Sequence, residues 1–109
     1  MTDRFGVTIS TGGAMPVIEL RGQVDRDAEA ELLEAFARAS ADAKSVALDF
    51  TRTDYINSTG LAVIVQILAR ARASGVAVHA FGLTDHYRHI FEITRLVDFV
   101  TLHAERPAA

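Results

Sequence analysis

The sequence predicts one α/β domain, a mixed β-sheet with helices in the order β-β-α-β-α-β-α-β. Three observations lead there. The chain has 109 residues, half of them apolar and 23% charged, which suits one globular core and leaves no room for a second. Short strand-like runs alternate with segments whose apolar residues recur at helical spacing, the pattern of βαβ crossovers. The first two strand-like runs, however, follow one another across a Gly-Gly turn, so the sheet is mixed rather than wholly parallel.

Phe5 to Ser10 reads as a short strand and Thr11-Gly12-Gly13 as a turn. Val17 to Arg21 reads as a second strand that ends at Gly22, with Pro16 at its start. Asp25 is a good helix N-cap, and Asp27 and Glu29 follow where the helix dipole favours acids. Ala28, Leu32, Leu33, Phe36 and Ala39 then carry the helical period to about Ser40. Ser45 to Phe50 is a strand with Val46, Leu48 and Phe50 on one side. Thr51 to Tyr55 reads as a tight loop. A helix then runs from Asn57-Ser58 to Ser74-Gly75, where glycine is the stop signal. Val76 to Phe81 is a strand, Thr84 or Asp85 caps a third helix reaching about Thr94, and Phe99 to Leu102 is a last strand. A single domain thus fills residues 1–109, with a core over about 5–103 and a frayed tail at 104–109.

Composition narrows the function. The absence of cysteine excludes disulfides and thiolate metal sites and fits a reducing cytoplasm. Met1 to Phe5 lacks the basic and apolar regions of a secretory signal, and the apolar run from Leu61 to Ala69 is far short of a membrane span. A formal net charge of −3, with eleven Lys and Arg scattered along the chain, argues against direct nucleic-acid binding. The expectation is a cytoplasmic domain with no membrane insertion.

Catalytic and metal signatures are weak. His86 and His89 lie i, i+3 on the third helix, short of the three or four converging ligands that a metal site needs. Ser58 lacks the Gly-x-Ser-x-Gly elbow of a hydrolase, and Gly12-Gly13 and Gly60 form no phosphate-binding fingerprint. No enzyme activity, metal or cofactor is expected.

The informative stretch runs from Leu48 to Leu61, where a strand leads through a loop to Asn57 and Ser58 at a helix start. The unpaired N–H groups of a first helical turn want acceptors, and Asn or Ser supplies them, so capping alone would account for the pair. The same place suits a phosphate. On Ser58 it would add about −1.5 to −2 charges, and the helix N-terminus attracts an anion. Within the following helix, Leu61, Ile64, Val65 and Leu68 form one stripe, with Val63 and Ile67 to its side. That apolar arc is about twice the ~100° of a core-facing helix. Either the helix is buried deeply, or part of it stays exposed as a docking patch beside Ser58.

Asn57-Ser58-Thr59-Gly60-Leu61 before an apolar helix, the later Phe91-Glu92-Ile93-Thr94-Arg95-Leu96, and the order of elements together resemble the STAS domain. Among STAS proteins the chain looks most like the bacterial anti-sigma factor antagonists, from about Phe5 to His103. The family pattern in the loop is Asp-Ser-(Ser/Thr)-Gly-Leu, and its serine, matching Ser58, is the phosphorylated residue. The resemblance implies a partner switch. The unmodified antagonist binds an anti-sigma factor through Asn57, Ser58, Thr59, Gly60 and Leu61. That partner is also a serine kinase that modifies Ser58, with Thr59 the second candidate, and a phosphatase reverses the step. Transcription is then regulated indirectly. Asn57 stands where the pattern has Asp, keeping the capping oxygen and dropping a charge. Arg95 replaces the pattern's glycine, which implies a different loop after the third helix. Free-standing STAS domains also resemble an accessory subunit that docks on the ATPase of a membrane lipid-transport system, a role in which Ser58 would be only a cap.

Overall fold

Among the described residues five strands form one sheet in the simple order β1-β2-β3-β4-β5. They are β1 (Gly6–Ser10), β2 (Val17–Val24), β3 (Ser45–Ile56), β4 (Ala77–Phe81) and β5 (Thr101–His103). The computed structural model describes residues 4–104, so the expected tail beyond Ala104 lies outside the described residues. The β1–β2 pair is antiparallel and the other three pairs are parallel, so the sheet is mixed as the sequence predicts.

Three α-helices connect the parallel strands among the described residues: α1 (Glu29–Ser40), α2 (Ser58–Ala73) and α3 (Asp85–Ile93). Parallel crossovers are right-handed, and here each steps one strand in the same direction, so all three helices fall on one face. The packing agrees. Leu32 and Phe36 of α1, Ile64 and Ile67 of α2 and Phe91 of α3 share one core with Ile18, Leu20, Val46, Leu48 and Val78 of the sheet. Val17, Ala47 and Phe81 alternate to the opposite face and form a small separate cluster with Met15 against it.

Several boundaries differ from the sequence reading for local reasons. β2 does not stop at Gly22, which is buried at φ 80° between two register shifts and lets the strand run on to Val24. β3 does not end at Phe50. Arg52 to Ile56 continue it, paired with β2 from Arg21 to Val24, so the expected loop is strand. Asp25 caps a 3₁₀ turn, Arg26–Ala28, that leads into α1, its carboxylate accepting from the Asp27 N–H at 2.9 Å. Thr84, not Asp85, caps α3. Phe99 closes a second 3₁₀ turn, Leu96–Asp98, and β5 starts two residues later.

A candidate docking and modification site at the start of α2

Asn57 is the N-cap of α2, with extended backbone. Its side-chain Oδ1 accepts from the Gly60 N–H and from the Thr59 Oγ1 hydroxyl, both at 2.8 Å. Two hydroxyl-bearing neighbours are thereby told apart. Thr59 is half-buried with its hydroxyl committed to the cap, whereas Ser58 is exposed at the first helical position. The capping reading therefore belongs to Asn57 and leaves Ser58 facing solvent beside the first-turn N–H groups.

Three contacts fix this helix start to the sheet. The Asn57 N–H donates to the Val24 carbonyl at 3.2 Å, continuing the β2–β3 ladder one step past the strand. Gly60 is buried against the turn after β2, where a Cβ would run into the Val24 carbonyl. On the other side of β3, the Ile56 N–H donates to the Tyr87 hydroxyl of α3 at 2.9 Å. β4 reaches only as far as Asp49, so Tyr87 supplies the acceptor that a neighbouring strand would otherwise provide. No local signal marks Tyr87, because it acts on a residue 31 positions away.

The exposed face of α2 differs from the predicted stripe. Val63, Ile64, Ile67, Leu68 and Ala71 are buried, Leu61 is half-buried, and Val65 is 43% exposed. The rotation follows from Gly60 against the β2 turn and from Gln66, whose Nε2 donates to Glu29 of α1 at 2.7 Å. Ser58, Ala62, Val65 and Ala69 then line one exposed, uncharged row at helical spacing. Of the five residues expected to bind a partner, Ser58 alone is fully on the surface; Asn57, Thr59 and Leu61 are half-buried and Gly60 is buried. Val65 belongs to the stripe read in the sequence, whereas Ala62 and Ala69 do not, because the sequence gives no sign of which way an almost wholly apolar helix will turn.

The electrostatics at the start of α2 favour an anion. Its first turn holds no acidic residue, while Arg70 and Arg72 lie in its last turn. Elsewhere, His86 and His89 are exposed on α3, and among the described residues no group of three or more His, Cys, Asp or Glu could hold a metal ion. No helix of the described residues is long and apolar enough to cross a membrane. The loop after α3 keeps a left-handed residue at Arg95, with φ 66°. Glycine would adopt that backbone conformation without strain.

Comparison with known proteins yields a match of residues 7–102 to the family model described as Mlab, STAS domain. The candidate anti-sigma factor antagonist BtrV of Bordetella bronchiseptica is 32% identical over 105 residues, covering 94% of this chain and 90% of BtrV. The anti-sigma factor antagonist SpoIIAA in its unphosphorylated form superposes with a TM-score of 0.73 at 13% identity, over 93% of this chain and 90% of that one. The Bacillus cell fate determinant SpoIIAA in its phosphorylated form gives 0.70 at 16% identity, over 92% and 93%. These last two likenesses establish the fold.

Proposed function

The chain belongs to the STAS domain family, and we propose that within it the chain is an anti-sigma factor antagonist switched by phosphorylation of Ser58. One observation carries the reading. Ser58 is the exposed hydroxyl at the first position of a capped helix, heading an uncharged row of Ala62, Val65 and Ala69. Along α2 itself no charged residue precedes Arg70. A phosphate on Ser58 would place a dianion at its head, stabilised by the helix N-terminus and hostile to an apolar or acidic partner surface. The switch needs no rearrangement of the fold.

The likeness to BtrV along nearly the whole chain supports the antagonist role, and the existence of SpoIIAA in phosphorylated and unphosphorylated forms supports the switch. In this reading the partner is an anti-sigma factor that is also a serine kinase, a phosphatase resets the cycle, and the chain itself works in the cytoplasm and catalyses nothing. The test is a pull-down from the native cell with wild type, Ser58→Ala and Ser58→Asp, alongside phosphate incorporation by the captured kinase. Wild type and Ser58→Ala should retain the partner, Ser58→Asp should lose it, and Ser58→Ala should take up no phosphate. Equal capture by all three variants would refute the switch.

A second reading is favoured by the description of the matching family model, Mlab. The row on α2 would then be a permanent dock for the ATPase of a lipid-transport system, with Ser58 solvent-facing and unmodified. Co-purification of an ATPase subunit, unaffected by Ser58→Asp and without phosphate uptake, would select it.

A further inference from the structure

We propose that His79 and His103 form a proton-operated latch that holds strand β5 on the sheet and releases it in acid. His79 lies on β4 and His103 on β5, and the register pairs His79 with Thr101 and Phe81 with His103. The two imidazoles are therefore diagonal neighbours on the face that the helices leave uncovered. His79 Nδ1 and His103 Nε2 stand 2.9 Å apart, with ring centroids 5.1 Å apart and planes inclined by 32°. That spacing has the two nitrogens meeting nearly head-on, with room for one proton between them and none for a metal ion bridging them. His103 is also stacked on Phe81, at 4.8 Å and 27°.

The pair adds to the hold on a short strand whose Leu102 packs against the core. β5 is three residues long, lies at the sheet edge and pairs with β4 alone. When both rings are neutral, one N–H donates to the other ring's lone pair. One added proton leaves a hydrogen bond intact, now charge-assisted. A second puts an N–H on each facing nitrogen, so the bond is lost and two like charges oppose each other.

Burial and then the nearby charge of His103 both lower the pKa of His79 below the ordinary imidazole value, as this order of events requires. The unfolded chain thus binds the proton more readily than the fold, so the stabilisation is complete above about pH 6.5 and is lost as pH falls through the lowered value. Among the described residues few other charges intervene. On β3, Asp49 is the partner of Phe81, whose ring stands between it and His103, and its carboxylate accepts from the Thr51 N–H at 2.9 Å. Glu19 lies one strand further on β2, and Asp98, before β5, is paired with Arg95 at 3.2 Å.

The experiment is an NMR titration of the imidazoles, with amide exchange over Thr101–His103, from about pH 7.5 to about pH 5. Wild type is compared with His79→Gln and His103→Gln. In wild type the His79 imidazole should titrate below its ordinary value, and it should move back towards that value in His103→Gln. Amide exchange at Leu102 and His103, corrected for its intrinsic rate, should accelerate in acid about tenfold more than in either variant, the order of effect of one lost hydrogen bond. His103→Gln changes only the outermost strand, so it carries the result should His79→Gln not fold. Titration of His79 at its ordinary value, or equal acceleration in wild type and variants, overturns the latch.

Discussion

The carbonyl of Val24 occupies the space that a side chain at Gly60 would need, while also accepting the N–H of Asn57. One backbone oxygen at the end of β2 thus sets both the position and the closeness of α2. Gly60→Ala gains the higher helix propensity of alanine, about 1 kcal/mol. It should nonetheless destabilise the protein by about 2 kcal/mol, because the obstacle is backbone and cannot swing away. Urea unfolding checks this, and an unchanged midpoint would mean that the helix start shifts freely.

Asn57 invites a comparison of two substitutions. Asn57→Ala removes the acceptor of the Gly60 N–H and should cost about 1 kcal/mol. Asn57→Asp keeps that acceptor and adds a charge at the helix N-terminus, for a gain of about 0.3–1 kcal/mol that fades in salt. The gain should vanish or reverse in the presence of Ser58→Asp, where two carboxylates share one helix start. A double-mutant cycle followed by thermal melting measures the coupling.

Tyr87→Phe keeps the ring and removes the acceptor of the Ile56 N–H. An orphaned, largely buried donor costs about 1–3 kcal/mol, and the loss should appear in the stability curve without a change in helix content. If Ser58 is the working residue, the variant should also loosen partner binding, because the end of β3 that carries the helix start is less firmly held.

Arg95 holds a left-handed conformation for which a non-glycine residue is strained by about 1–2 kcal/mol. Its ion pair with Asp98 is exposed on both sides and offsets little of this. Arg95→Gly should therefore raise the melting temperature, for a net gain in stability of about 1 kcal/mol after the extra freedom of glycine in the unfolded chain. A drop on substitution would show that the Asp98 contact matters more than the backbone.

The parts of the fold that follow local rules were legible in the sequence. Strand–helix alternation gave the element order, and Asn57, Thr84 and Gly75 marked helix ends where the structure has them. The second half of β3 was not legible. Register shifts against β2 at Glu19–Arg21 and at Gly22–Gln23 upset the two-residue alternation, and Thr51, Arg52, Asp54 and Tyr55 are all exposed. A twisted, half-paired strand with polar residues looks like a loop. The facing of α2 was hidden for the opposite reason. With one polar residue between Leu61 and Ala69, several rotations bury similar area, and the close approach at Gly60 selects one. The pairing of His79 with His103 needs the β4–β5 register, which a separation of 24 positions does not encode locally.

The unequal flanking of β3 has a dynamic consequence. Ala47 to Asp49 have strand partners on both sides, whereas Arg52 to Ile56 have β2 on one side and Tyr87 of α3 on the other. One continuous strand therefore spans two regimes of opening, with its first half tied to global unfolding and its second able to part in a smaller cooperative unit with α3. Ser58 follows directly from the second regime. The residue that the proposed kinase must reach hangs from the end of β3 that a strand flanks on one side and a single side-chain hydroxyl on the other.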